Sequence, residues 1–343
     1  MTRPTTGRVV PGQRRNAGAP ATGQATVPEP GAARIAVDLL GGDQAPAVVV
    51  DGALRAIQAD PAVQLLLVGP MEAAGEVFAA LKPADRSRVS ALGSQGSFRP
   101  ARPPNAGWVE SGVRSAVLAV AQGEADAVVS AGSTGATVTA AALGFGRWPA
   151  VRRPALAAVL PAVAGRVVLL DVGATVDPDE QALAVVARLG SAYASVMHAL
   201  PEPRVGLLTI GTETGKGDRL RRAMPGLLSP LALPGGGRYV GLVEGNDVVS
   251  GEPADVVVTD GFTGNVLLKG LETAYATIGP PGEKSVPRAA MLLGVDGTVV
   301  VCHGAASGID LAAGIGLAAD LHRRRAVRAI ATLMSEPEVI DEQ

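Results

Sequence analysis

The sequence predicts an α/β protein with a mostly parallel sheet, and three observations carry that prediction. Eight short runs rich in Val, Leu, Ile or Ala each stop at a glycine, at Gly41, Gly69, Gly132, Gly173, Gly211, Gly245, Gly261 and Gly304. The runs are near-continuously apolar rather than alternating, as in strands covered on both faces of a parallel sheet. Amphipathic or Ala-rich stretches usually follow them, and the clearest helices are expected at about 110–122, 134–143, 179–198, 263–275 and 305–333.

Each element follows from its own residues. "RIAVDLLG" and "QLLLVG" are short apolar runs that end where glycine lets the chain turn. "ADAVVSAG" hands over to the Ala-rich 134–143 segment, and "RVVLLDVG" precedes the long 179–198 pattern. "RVGLLTIG" and "YVGLVEG" follow, "ADVVVTDG" leads into 263–275, and "GTVVVCHG" into 305–333. Eight strand-helix units also suit a barrel, which takes about 250 residues. Uneven spacing and the extra segment "RPALAAVLP" (153–161) favour an open sheet over residues 34–335, in one body or two lobes. In either architecture ligands sit beyond the carboxyl ends of the strands, where these glycines lie.

Composition narrows the function. With 343 residues and 47% hydrophobic content the chain can bury a sizeable core. A net charge of −2 points away from nucleic acid and from anionic membrane surfaces. The single cysteine, Cys302, excludes an internal disulfide and suggests a reducing, cytoplasmic compartment. With one cysteine and only three histidines, His198, His303 and His322, a zinc site rich in Cys and His is not expected. Residues 1–33 and 336–343 read as tails, the first rich in Pro, Gly, Ala and Thr. No apolar run reaches the roughly 18 residues of a membrane helix.

The carboxyl-end joints carry the chemistry. They are "DLLGGDQAP", "SAGSTGA", "DVGATVD", "GTETGKGD", "EGNDVVSG", "DGFTGN" and "HGAASG". Glycine lets a backbone approach a ligand, and amides that open a helix are unpaired donors suited to phosphate. Singly, each joint reads as a turn or cap: Asp260-Gly261 as a turn, Thr134 and Thr263 as N-caps. Seven joints at one edge, accompanied by Asp, Glu, Asn, Lys and His, read as a site. "GTETGKGD" is no nucleotide P-loop, because three residues rather than four separate Gly211 from Gly215 and Gly217 follows Lys216. Cys302 and His303 are strand neighbours pointing to opposite faces, so Cys302 is expected in the core and His303 at the site.

In this order "DLLGGDQAP", "GEADAVVSAGSTGA", "RPALAAVLP", "LLDVGATVD", "PRVGLLTIGTETGKG", "VEGNDVVSG", "DGFTGNVLLK" and "GTVVVCHG" resemble the PlsX family of phosphate acyltransferases, over about Arg34 to Ile330. The resemblance implies a Rossmann-like, three-layer α/β/α fold similar to the isocitrate and isopropylmalate dehydrogenases, a homodimer, and no cofactor. It implies conversion of acyl-acyl carrier protein and inorganic phosphate to acyl phosphate at the start of phospholipid synthesis. Lys216, Asp260, Asn265 and His303 become the candidate catalytic residues. Gly42, Asp43, Ser133, Thr134, Gly135, Asp171, Thr175, Glu244, Asn246, Gly261, Thr263, Gly264 and Lys269 become substrate-binding candidates, with the amides around Gly135, Gly261 and Gly264 as phosphate donors.

Departures from the family pattern are Gln44 in "GGDQAP", Ser133 in "SAGSTGA", Thr175 in "GAT" and Val301 in "VCHG". They leave two alternatives: acyl-coenzyme A as donor, or a weakened paralogue that binds carrier protein. Pro280, Pro281 and Pro287 interrupt the segment where family members carry a helical membrane contact, so at most weak peripheral attachment is expected. An acidic carrier protein calls for a basic docking face. The candidates are "DRLRRA" (218–223), Arg147 with Arg152 and Arg153, and "HRRRAVR" (322–328).

Overall fold

The computed structural model describes residues 31–93, 111–213, 215–281 and 288–335. Residues 1–30 and 336–343 lie outside it, so the expected tails do too; Ala33, assigned to the first tail, is instead the first residue of a strand. The order of elements is β1 (Ala33–Asp38), α1 (Ala47–Ala59), β2 (Val63–Gly69), α2 (Met71–Ala80), β3 (Val89–Gly93), α3 (Ser111–Ala121), β4 (Ala127–Ser130) and α4 (Thr134–Gly144). There follow β5 (Ala155–Ala162), β6 (Gly165–Leu170), α5 (Glu180–His198), β7 (Arg204–Leu208), α6 (Arg219–Leu228), β8 (Arg238–Val243) and α7 (Gly245–Ser250). The last are β9 (Val256–Val258), α8 (Gly261–Ile278), β10 (Ala289–Leu293), β11 (Thr298–Cys302), α9 (Gly308–Arg323) and α10 (Ala326–Ser335).

All strands form one sheet in the order β3-β2-β1-β4-β11-β10-β5-β6-β9-β7-β8. Helices cover both faces, as expected for three α/β/α layers. Alternate strand residues feed two cores: Ile35, Val129 and Leu170 pack with α1, α2, α5, α6, α9 and α10, while Ala36, Val128 and Leu169 pack with α3, α4, α7 and α8. All eight glycine-terminated runs are strands. "RPALAAVLP" contains β5, and β3 and β10 complete the sheet. The helix expected over 305–333 is two, because Arg325 takes a left-handed conformation (φ 53°) and turns α10 back against α5.

The sheet is mostly parallel, but its three antiparallel pairings, β11 with β10, β10 with β5 and β5 with β6, lie side by side at the centre. Three successive reversals leave β6 to β9 running opposite to β1, β4 and β11. The carboxyl ends that carry the seven joints therefore fall at two opposite edges, not one as expected from the sequence.

Candidate active site

The first group of joints follows β1, β4 and β11. Asp38 is buried at the end of β1 and accepts from Ser130 Oγ at 2.9 Å, tying β1 to β4. A Cβ on Gly41 would stand 2.7 Å from the Gly132 amide nitrogen, so glycine there permits the close approach of the two loops. The Asp43 amide donates to Gly304 O at 2.8 Å, which brings Gly42 and Asp43 against the loop after β11. Ser133, not Thr134, caps α4, accepting from the Ala136 amide at 3.4 Å; Thr134 and Gly135 form the first turn, whose amides lack an intrahelical acceptor. His303 Nδ1 accepts from the Ala305 amide at 3.2 Å, so in the neutral ring the proton sits on Nε2.

The second group follows β6, β7, β8 and β9. Asp171 is buried and accepts four backbone N–H bonds, from Leu156, Gly173 and Ala174 at 3.0–3.1 Å and from Thr175 at 2.6 Å. Burial pushes its pKa up and the four amides oppose that push. Its work is to fold the 171–175 loop. Asp260 caps α8: Thr263 donates to it through its amide and its hydroxyl, each at 2.8 Å. Arg221, buried on α6, pairs with the same carboxylate and donates to Thr259 Oγ1 and Asp218 Oδ2 at 2.9 Å and to Leu208 O at 3.2 Å. Burial alone would raise the Asp260 pKa, but the Thr263 amide, Arg221 and the Thr263 hydroxyl outweigh it and hold the carboxyl below its ordinary value.

Several expected ligands are structural in this cluster. The Gly261 amide donates to Thr175 O at 2.8 Å and the Gly264 amide to Asp260 O at 2.9 Å, so neither remains for phosphate. Both positions need glycine because the 171–175 loop lies against the first turn of α8. Glu244 starts α7 in a reciprocal cap with Asp247, whose Oδ2 accepts the Glu244 amide at 2.7 Å, and Asn246 is exposed beside it. Lys216 is exposed, its stem folded over Gly211.

A groove of about 230 Å³ on the α4 and α8 face joins the two groups. Thr134 and His303 reach it from the first, Val172 and Asn265 from the second. Its floor is Leu156, Ala158 and Leu160 of β5 with Ala290 and Val301; α8 supplies Leu268, Glu272 and Tyr275. Asn265 Nδ2 donates to Val172 O at 3.1 Å, and the Val172 amide to Leu156 O at 3.1 Å, which sets Asn265 level with Leu156. Continuing the registers Ala290–Ala158 and Ala289–Cys302 by one or two residues sets His303 and Arg288 level with Leu160. Four strand residues, about 13 Å, thus separate the Asn265 end from the His303 end. Lys216, Asp260 and Lys269 do not line the groove.

Three residues at the site were not legible in the sequence. Arg221 stood in a basic cluster expected to dock a partner; its burial removes it from any docking face. Arg288 follows residues 282–287, which lie outside the described residues, and reaches the His303 end of the groove only because β10 inserts beside β11. Glu272 lies two turns beyond "DGFTGN"; its i, i+3 spacing to Tyr275 was the available signal. Burial pushes the Glu272 pKa up, with His303, Arg288 and Lys269 drawing it down and Asp310 adding to the rise. Among the described residues no three His, Cys, Asp or Glu side chains gather to hold a metal ion. Cys302 is buried as expected, and burial pushes its thiol up to about 12. A thiol alkylating reagent at about pH 8 is therefore expected to label Cys302 only after unfolding, read by intact mass.

A family described as fatty acid synthesis protein matches residues 33–280. The phosphate acyltransferase of Thermobifida fusca is 40% identical over 307 residues, covering 79% of this chain and 82% of that one. The chain belongs to the phosphate acyltransferase, or PlsX, family. The phosphate acyltransferase of Rhodospirillum rubrum is 36% identical, covering 84% of this chain and 91% of its own length. This PlsX-family protein is an acyl-transfer enzyme. A branched-chain phosphotransacylase from Enterococcus faecalis superposes with a TM-score of 0.56 at 14% identity, over 87% of this chain and 99% of that one. The EutD phosphotransacetylase from Staphylococcus aureus does so with 0.55 at 17% identity, over 88% and 96%. These two share the fold of the PlsX-family chain. No helix among its described residues is long and apolar enough to cross a membrane.

Proposed function

We propose that the protein transfers an acyl group from acyl carrier protein to inorganic phosphate, releasing acyl phosphate and free carrier protein for phospholipid synthesis. The observation that supports it best is the groove itself: an apolar floor that ends at His303, Arg288 and the first turn of α4. An acyl thioester has the same division, an apolar chain and a polar carbonyl at which charge develops. Arg288 and the free amides around Thr134 and Gly135 attract phosphate to that end. A phosphate oxygen attacks the thioester carbon and a C–O bond forms. His303 Nε2–H donates to the oxyanion of the tetrahedral intermediate. The C–S bond then breaks and the leaving sulfur takes a proton, for which Glu272, whose pKa burial pushes up, stands at the same end. No covalent enzyme intermediate is needed, since orienting two anionic partners is the main task.

The carrier protein would dock through exposed arginines. Arg222 and Arg153 are exposed, whereas Arg323 and Arg324 of the 322–328 cluster are ion-paired with Asp60 and Asp320. A homodimer accounts for Phe262, Val266 and Ile278, apolar side chains that α8 leaves 57–83% exposed. Sedimentation at a series of concentrations is expected to give a dimer that Phe262→Glu dissociates.

The deciding assay incubates the purified protein with phosphate and acyl-acyl carrier protein or acyl-coenzyme A and traps acyl phosphate with hydroxylamine. Trapping that requires the carrier-protein donor and phosphate is expected. Trapping with acyl-coenzyme A alone would reassign the donor, and binding of carrier protein without trapping would make the chain a weakened paralogue.

A further inference from the structure

We infer that the groove over β5 and β10 holds the fatty acyl chain, that Ala158 and Ala290 set the length it accepts, and that the Asn265–Val172 contact closes its far end. This rests on the proposed reaction and adds the substrate's position. Between the polar ends the lining is Leu156, Ala158, Leu160, Ala290, Val301 and Leu268, none of which offers a side-chain hydrogen-bond donor or acceptor. A pantetheine arm, whose amides need partners when they leave water, would be poorly held there; a hydrocarbon chain loses nothing. Burying it against these side chains contributes the free energy that a short acyl group cannot supply.

The floor has a step. Ala158 and Ala290 are register partners at the middle of the groove, with Leu156 and Leu160 on the same face of β5. Strand positions favour branched or bulky residues, so two adjoining alanines leave a depression that larger side chains would fill. The groove runs from the His303 end, where the thioester would react, for about 13 Å along the strands to Leu156 and Val172. There the Asn265 side chain, donating to Val172 O at 3.1 Å, ties α8 to the 171–175 loop and ends the path. Asn265, expected from the sequence to take part in catalysis, becomes a positioning residue that limits chain length.

The test measures turnover of decanoyl- and butyryl-carrier protein by Ala158→Leu and, separately, by the milder Ala290→Val. Each is expected to lower the decanoyl-to-butyryl ratio at least tenfold, with butyryl turnover reporting that the protein is folded. Asn265→Ala, which opens the far end, is expected to shift the preference toward longer chains instead. An unchanged ratio in both alanine variants overturns the assignment. Should the wild-type protein trap no acyl phosphate from any donor, the reaction proposed above fails and the groove is judged by binding. Displacement of a fluorescent fatty acid by decanoate that Ala158→Leu weakens tenfold keeps the groove; displacement unaffected by the variant rejects it.

Discussion

Gly264→Ala is expected to destabilise the fold by about 3 kcal/mol and to remove most acyl transfer, whereas Gly270→Ala, less than two turns along the same helix, stabilises it slightly. The contrast comes from what each new methyl meets. At position 264 the Cβ would stand 1.9 Å from Asp171 O, a backbone atom, and 2.9 Å from the Thr259 side chain. Asp171 cannot move aside without breaking the four backbone hydrogen bonds its carboxylate accepts, from Leu156 of β5 and from the 173–175 amides. The alternative is that α8 shifts outward, which displaces Asn265, Leu268 and Glu272 from the groove. At position 270 nothing lies within 4 Å, so alanine only restricts the unfolded chain and improves helix propensity, a gain of about 0.5–1 kcal/mol. Urea unfolding of both variants with the hydroxylamine assay checks the pair; a Gly264→Ala protein as stable and active as the parent would refute the packing.

Arg221→Met is expected to cost about 3–5 kcal/mol, the range for removing one partner of a buried ion pair. Methionine keeps much of the stem but leaves the buried Asp260 carboxylate without its cation and leaves Thr259 Oγ1 and Leu208 O without their donor. Asp260→Asn added to that variant removes the stranded charge while an amide oxygen still accepts from Thr263, so the double change is expected to cost less than the sum. The pH dependence has a definite sign. A carboxyl held below its ordinary value contributes stability that is complete above that value, 3.8, and is lost as pH falls through the lowered folded value. The stability gap between parent and Arg221→Met is therefore expected to narrow as the pH is lowered below about 4. A gap that stays constant to pH 2, about two units lower, would place the cost in packing rather than in the ion pair.

These two positions also show how the site divides. Arg221, Asp260 and Gly264 hold the loops of the second edge together, so their loss is expected to appear in stability first. His303, Glu272 and Arg288 stand at the groove's other end, where loss is expected in turnover with the fold intact. "DGFTGN" mixes both: its Asp, Thr and two glycines build the entry to α8, and its Asn alone reaches the groove.

The local facts were legible in the sequence because they depend on neighbours along the chain. Apolar runs ending at glycine identified eight strands, and the opposite faces of Cys302 and His303 followed from the two-residue period of a strand. Motif order identified the family. Strand direction was not legible: a parallel and an antiparallel neighbour read alike in a run such as "RVVLLDVG", and β10, a short run behind a Pro-rich segment, gave no separate signal. Insertion of β10 and β5 between the halves reverses β6 to β9, which moves Lys216, Asp260 and Glu244 to the edge opposite His303. Contacts between residues far apart in the chain, Arg221 with Asp260, Asp171 O against Gly264, Ala158 beside Ala290, exist only once that pairing is made. Sequence determined which pieces form and which family they belong to. Tertiary structure decided which face each other, because hydrogen-bond pairing across the sheet, not position along the chain, sets the neighbours of every residue at the site.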